Sequence, residues 1–176
     1  MNSNVAGTSI EIDNTVLEGI RSHVAGLYPA EACGVLLKQI GGSEVTTVRI
    51  RQFCMAENCS QGSDSLDSYR INPLRLFRME QYWSELGFEV AGFYHSHPDR
   101  RAVPSDRDLD GMIPELAYMI FSVTPELVYA PRVWKKTMSD GSAVEMRVAA
   151  AKQNNILTVP GDRKKGSQMS GRCHSA

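Results

Sequence analysis

Cysteine and histidine are scarce in this chain of 176 residues, with four of each. Cys33, Cys54, Cys59 and Cys173 contain no C-x-x-C pair, which excludes the common zinc-ribbon and thioredoxin-like frameworks. Long apolar runs are missing as well, so no segment is suited to span a bilayer. Residues 1–8 lack the charged-then-apolar layout of a secretion signal. Four unpatterned cysteines without such a signal predict reduced thiols and a cytoplasmic protein. A dominant sign of charge is absent too: 19 basic and 20 acidic side chains give a net charge of −1. The basic surplus is confined to residues 151–176, with five basic residues against one acid. That is poor support for nucleic-acid binding, and membrane association has no carrier at all.

The remaining composition, 42% hydrophobic and 22% charged, is that of a globular protein large enough to bury a core without disulfides. Residues 1–150 are expected to form one domain, and residues 151–176, where Q-N-N, P-G, R-K-K and G-S cluster, a flexible C-terminal tail. Val16, Leu17, Ile20, Val24 and Leu27 recur at helical spacing and predict a helix over 14–27, with Thr15 and Glu18 as a capping box. Residues 35–40 and 45–51, separated by Gly41-Gly42, read as a hairpin. A polar loop over 54–66 and a short strand over 67–71 lead to a helix capped by Asn72, with Pro73 at its first position. Leu76, Met79, Trp83 and Leu86 are its buried stripe, and Gly87 ends it. Strands are predicted over 88–95, 118–124, 128–135 and 143–148, with a short helical turn opening at Ser105. This order predicts an α/β or α+β sandwich around a mixed sheet.

Two of the four histidines sit in His95-Ser96-His97-Pro98, followed by Pro104-Ser105-Asp106-Arg107-Asp108. Strand side chains alternate faces, so His95 and His97 point the same way at the end of an apolar strand. Two imidazoles joined by a carboxylate that a short loop returns can hold Zn²⁺ through three protein ligands, leaving the fourth position open. Asp108 is the carboxylate chosen here. Ser105-x-x-Asp108 is also the spacing of a helix capping box, and the two roles are compatible. Other H-x-H enzymes fit less well. An amidohydrolase-type barrel needs more histidines and a longer chain. A zinc deaminase needs H-x-E and a later P-C-x-x-C, and H-E-x-x-H is absent.

H-S-H-P with P-S-x-x-D, preceded by Gly92-Phe93-Tyr94, resembles the JAMM (MPN+, Mov34-type) metallopeptidase family. The stretch from Tyr28 through Glu31, Cys33 and Gly34 to Leu37 resembles that family's second motif, a Glu shortly before a Gly and an apolar strand. Tyr69-Arg70-Ile71-Asn72-Pro73 resembles the strand-to-helix junction of small prokaryotic members. The likeness runs in order over about residues 10–136. It implies a cytidine-deaminase-like sandwich of a mixed sheet and flanking helices. It also implies one Zn²⁺ on His95, His97 and Asp108, with Glu31 as general acid/base and Ser105 helping to stabilise the tetrahedral intermediate. Cys33, two residues from Glu31, is read as a small buried strand residue.

The resemblance further implies hydrolysis of an amide bond after the C-terminal Gly-Gly of a ubiquitin-like protein. Short stand-alone members resemble enzymes that process sulfur-carrier proteins. There the cut exposes Gly-Gly for thiocarboxylate formation or releases an amino acid. The implied partner is such a carrier, and a homodimer is compatible with the reading. A zinc hydrolase of small-molecule amides and a catalytically silent binding module on the same fold are the alternatives.

Overall fold

A computed structural model describes residues 9–42, 46–60 and 65–150. The elements run β1 (Ser9–Ile12), α1 (Asn14–Leu27), β2 (Cys33–Gln39), β3 (Thr47–Ile50), β4 (Gln52–Ala56), α2 (Pro73–Glu85), β5 (Phe88–Pro98), α3 (Asp106–Gly111), β6 (Ala117–Val123), β7 (Arg132–Lys136) and β8 (Ala143–Ala150). The strands form one mixed sheet in the order β3-β1-β8-β7-β6-β5-β2-β4. The tail expected from Ala151 lies outside the described residues.

The hairpin expected between residues 35–40 and 45–51 is not the one formed. β2 pairs antiparallel with β4, Cys33 opposite Ala56 and Leu37 opposite Gln52, while β3 pairs parallel with β1. Arg51 alone separates β3 from β4, yet these strands lie at opposite ends of the sheet order. The sheet must therefore curl until one bent segment can serve both ends. Arg51 N–H donates to Leu37 O at 3.0 Å and Asp13 N–H to Ile50 O at 3.3 Å, which ties the bend to both sides.

Helices cover the two faces. Val16, Ile20 and Val24 of α1 pack with Leu36, Tyr94, Met119 and Phe121. Val35, Leu37, Phe93 and Tyr118 face the other way, against Met79 of α2 and Met112 after α3. Consecutive residues of β2, β5 and β6 thus feed different cores, as a period of two requires. Leu27 and Leu86, expected in the helical stripes, are exposed. α1 starts at Asn14 behind Asp13, so the box at Thr15 and Glu18 does not form, and the Asp13 carboxylate pairs with Arg51 instead. α2 begins as expected, with Asn72 Oδ1 accepting from Leu74 N–H and Arg75 N–H at 2.9 and 3.2 Å. Residues 67–71 carry no strand, and β7 starts at Arg132, with Val128 making only a lone bridge to Val123.

Two motif glycines have a packing reason. A Cβ on Gly34 would lie 2.4 Å from the Cys54 carbonyl oxygen and the Tyr94 ring, and one on Gly92 would lie 1.8 Å from the Ala117 carbonyl oxygen. Each admits a neighbour that any side chain would exclude. Cys33 and Cys54 are buried free thiols and Cys59 is a half-buried one. No helix among the described residues is long and apolar enough to cross a membrane.

Candidate active site

β5 runs inside the sheet between β2 and β6, and its last turn of pairing brings the two histidines to the face covered by α2 and α3. His95 pairs with Cys33 of β2 and with Ile120 of β6, which fixes its backbone from both sides. His95 and His97 are buried, and their Nε2 atoms lie 3.0 Å apart. The His97 Nδ1 stands 2.9 Å from the Arg101 carbonyl oxygen. A carbonyl only accepts, so Nδ1 carries a hydrogen, and the Nε2 that faces Asp108 is the nitrogen left for a metal.

Asp108 arrives on the first turn of α3. Ser105 caps that helix, accepting from Asp108 N–H through Oγ at 3.2 Å. In return Asp108 Oδ2 accepts from Ser105 N–H and Ser105 Oγ–H, both at 2.7 Å. The capping box and the candidate ligand are therefore one device. It leaves Asp108 Oδ1 3.2 Å from His95 Nε2 and Oδ2 3.3 Å from His97 Nε2. The three ligand atoms all lie within 4.8 Å of one another. Two imidazole Nε2 atoms turned toward a shared point, plus one carboxylate, are a donor set that fits Zn²⁺. The Arg101 carbonyl supplies the outer-shell hydrogen bond that orients a ligating histidine.

Glu31 precedes β2 and is 1% exposed. Carrying the alternation of β2 back from Cys33, the partner of His95, puts Glu31 on the histidine face. Ser96 fixes this stretch. It lies between the histidines and points the other way, where its Oγ accepts from Ala32 N–H at 2.9 Å and its N–H donates to Ala32 O at 3.0 Å. The Glu31 N–H donates to Ser65 O at 2.8 Å, and its carbonyl accepts from Asn58 Nδ2 at 3.1 Å. The Glu31 Oε1 accepts from Arg100 Nη2 at 2.6 Å.

The two carboxylates have opposite electrostatics. Burial pushes Glu31 up to about 7, against the pull of His97 and Arg100. Burial also penalises the Asp108 anion, but hydrogen bonds from His95, His97 and Ser105 outweigh it and hold that carboxyl far below the usual range. Burial lowers His95. At His97 burial is offset by the bonds to Asp108 and the Arg101 carbonyl, and the net shift is upward.

Every residue singled out in the sequence thus lies in one cluster. Cys33 is a buried strand residue whose thiol donates to Ala56 O at 3.7 Å. Burial raises it to about 12, the opposite of an activated nucleophile. Four further side chains shape the cluster. Tyr69 stacks on His95, with ring centroids 4.6 Å apart. Asn58 ties the loop after β4 to Glu31, Ser68, Ser60 and Arg70. Ser96 holds Ala32, and Arg100 holds Glu31. Strand alternation was the signal for Ser96, since a polar residue between two same-face histidines must face the opposite side. Beside Asp108 a cavity of about 260 Å³ opens between Tyr69, Phe93, Arg107, Ile113 and Tyr118.

A model of prokaryotic homologs of the JAB domain matches residues 13–138. A desampylase of Haloferax volcanii is 28% identical over 123 residues, 69% of this chain and 84% of that protein. The human deubiquitinase MYSM1 is 33% identical over 81 residues, 46% of this chain and 9% of that much longer protein. In three dimensions the chain resembles a solution structure of a Desulfitobacterium hafniense protein, with a TM-score of 0.69 at 20% identity, over 82% of this chain and 94% of that one. A solution structure of a Salinibacter ruber protein gives 0.62 at 26% identity, over 82% and 93%. With the family model spanning most of the chain and its motif residues gathered in one buried cluster, the chain belongs to the JAB/MPN (JAMM) family, among its prokaryotic homologs.

Proposed function

We propose that the protein is a zinc metallopeptidase that hydrolyses the amide bond after the C-terminal Gly-Gly of a ubiquitin-like protein, of the sulfur-carrier kind. The observation that carries this is the pairing of a His95, His97, Asp108 ligand set with a buried Glu31 shifted to about 7. Family membership supports it, and so do two relatives, a desampylase and a deubiquitinase, that act on ubiquitin-like proteins.

His95, His97 and Asp108 would hold the ion. When bound, Zn²⁺ polarises the scissile carbonyl and makes water acidic enough to attack near neutral pH. Glu31 accepts a proton from the attacking water on its carboxylate and passes it to the leaving nitrogen, so one water yields one carboxyl and one amine. An acid/base group titrating close to the working pH serves both transfers. Ser105 has two roles in this reading. It positions Asp108, and its hydroxyl is the donor assigned to the developing oxyanion. No thiol takes part, consistent with the raised Cys33. The aromatic cavity beside Asp108 suits an apolar residue of the tail that precedes Gly-Gly. All of this machinery lies within residues 1–150, so a chain ending at Ala150 is expected to keep the activity.

The test is a matched pair of carrier proteins, one ending Gly-Gly-X-X and one Ala-Ala-X-X, incubated with zinc-loaded protein and read by mass spectrometry. Trimming after the second Gly of the first substrate alone is expected. Equal cutting of both would leave a zinc hydrolase without Gly-Gly selectivity. Absence of stoichiometric zinc after reconstitution would remove the metallopeptidase reading altogether.

A further inference from the structure

Arg100 is the feature of this site that a general base does not need. β5 ends at Pro98, and Asp99 follows in the left-handed region at φ 53, with its N–H on Val123 O at 2.8 Å. That turn folds Arg100 back over the site, where its guanidinium sits on Glu31. The Arg100 side chain is 42% exposed, whereas that of Glu31 is 1% exposed. The cation therefore stands at the mouth and the carboxylate at the bottom. Nearby acids have other partners: Asp99 accepts from the Tyr28 hydroxyl at 2.9 Å, and Asp67 pairs with Arg107 at 3.6 Å.

One guanidinium N–H is on Glu31 Oε1, and the other oxygen of that carboxylate keeps its lone pairs for a proton from water. A guanidinium carries five N–H donors, so Arg100 can stay on the buried Glu31 and offer its remaining donors outward from its half-exposed position. A substrate that brings its own carboxylate to the mouth can then pair with Arg100 without stripping Glu31 of its partner. The covalent geometry of a peptide says which carboxylate can do this. Glu31 must approach the leaving nitrogen to protonate it. In a C-terminal residue the carboxyl carbon lies only about 2.5 Å from that nitrogen. The group that touches Glu31 now is then within reach of the carboxylate of a single residue beyond the cut. A lysine linked through its side-chain nitrogen places its own carboxyl several bonds away.

We infer that Arg100 reads the free α-carboxylate of a single residue joined to Gly-Gly, pairing with it beside Glu31, and so directs the enzyme toward releasing one C-terminal amino acid over cutting isopeptides. The inference rests on the peptidase reading above and narrows its substrate class. Arg100 becomes a specificity-determining residue that contacts the leaving group, and bidentate guanidinium–carboxylate pairing is the chemistry that suits it.

The probes are three short synthetic peptides: Gly-Gly-Ala as the free acid, the same as the carboxamide, and Gly-Gly joined to the lysine side-chain nitrogen. Wild type is expected to cut the free acid ~10–100-fold faster in kcat/KM than either other peptide, the range of a charged hydrogen bond. In Arg100→Gln the ratio should fall to about one, and Arg100→Lys should restore part of it. Because the readout is a ratio within each protein, a general loss of activity or stability cancels. Binding supplies a second arm. Anisotropy of labelled peptides on Glu31→Gln should show the free acid tighter than the amide by a similar factor, and Glu31→Gln/Arg100→Gln should show no preference. A wild-type ratio near one, or one unchanged in Arg100→Gln, overturns the assignment while leaving the peptidase reading intact. If wild type cuts none of the peptides, equal binding of acid and amide to Glu31→Gln removes the role of Arg100, and the peptidase reading stands or falls with the carrier-protein assay alone.

Discussion

The two flanks of the site hold one carboxylate each, Glu31 buried and Asp108 nearly so, and the fold drives them in opposite directions. On the α3 flank Asp108 faces His95, His97 and two donors of Ser105, and stays ionised through any ordinary pH. On the β2 flank Glu31 has one guanidinium at the rim and is otherwise buried, and burial pushes it up to about 7. Two like side chains in neighbouring positions thus differ by environment, which suits one to a fixed charge for a cation and the other to a movable proton. Burial alone does not decide this, since Glu31 is buried and Asp108 nearly so. The number of hydrogen-bond donors aimed at each carboxylate does.

The sharpest break in that comparison comes from the α3 flank. His97→Ala removes one of the three proposed ligands, and bound zinc is expected to fall from one per chain to near zero, with all peptidase activity. Elemental analysis beside a turnover assay checks it. Full zinc content in this variant would move the metal elsewhere. Next in size, Glu31→Gln should keep zinc and fold yet lose ~10²–10⁴-fold in kcat, the usual weight of a general acid/base. Near-normal turnover of the zinc-loaded variant would transfer the proton role to another group.

Stability offers a third, smaller contrast. A carboxyl raised from 4.5 to about 7 by burial costs the folded state nothing below about 4.5, and the cost grows as pH rises from there to about 7 and is constant above. Metal-free wild type should therefore melt close to Glu31→Gln at about pH 4 and lose up to ~3 kcal/mol relative to it by about pH 8. A constant difference across that window would contradict the burial argument for Glu31. The smallest effect is expected at the link between cap and ligand. Ser105→Ala deletes a helix cap worth about 1 kcal/mol. It also loosens Asp108, so zinc affinity should drop with the melting temperature. A melt shift without any change in zinc affinity would confine Ser105 to capping.

Much of the site could be read along the chain because its parts are local. His95 and His97 share a face through strand alternation, and Ser105 and Asp108 meet through the first turn of a helix, over spans of two and three residues. α1 and α2 were legible for a similar reason, their apolar spacing being a property of one segment. The strand partners were not. Gly41-Gly42 looked like the turn of a hairpin, yet the ladder of β2 falls on 52–56, because Arg51 marks a bend at which the chain passes from β1 to β2.

Residue types and spacings by themselves determined a globular core, a same-face histidine pair and a capped acidic turn. Only the tertiary structure decided what stands beside them. Glu31 lies 64 positions before His95, and it arrives through the β2–β5 register and the double tie between Ser96 and Ala32. Register is a property of two segments at once, so neither carries it in its own pattern. The same holds for the charge of the site: whether a carboxyl is a ligand, a base or a surface acid depends on the burial and the donors around it. Those come from β2, β5, α3 and the loop around Arg100 only once the sheet has closed.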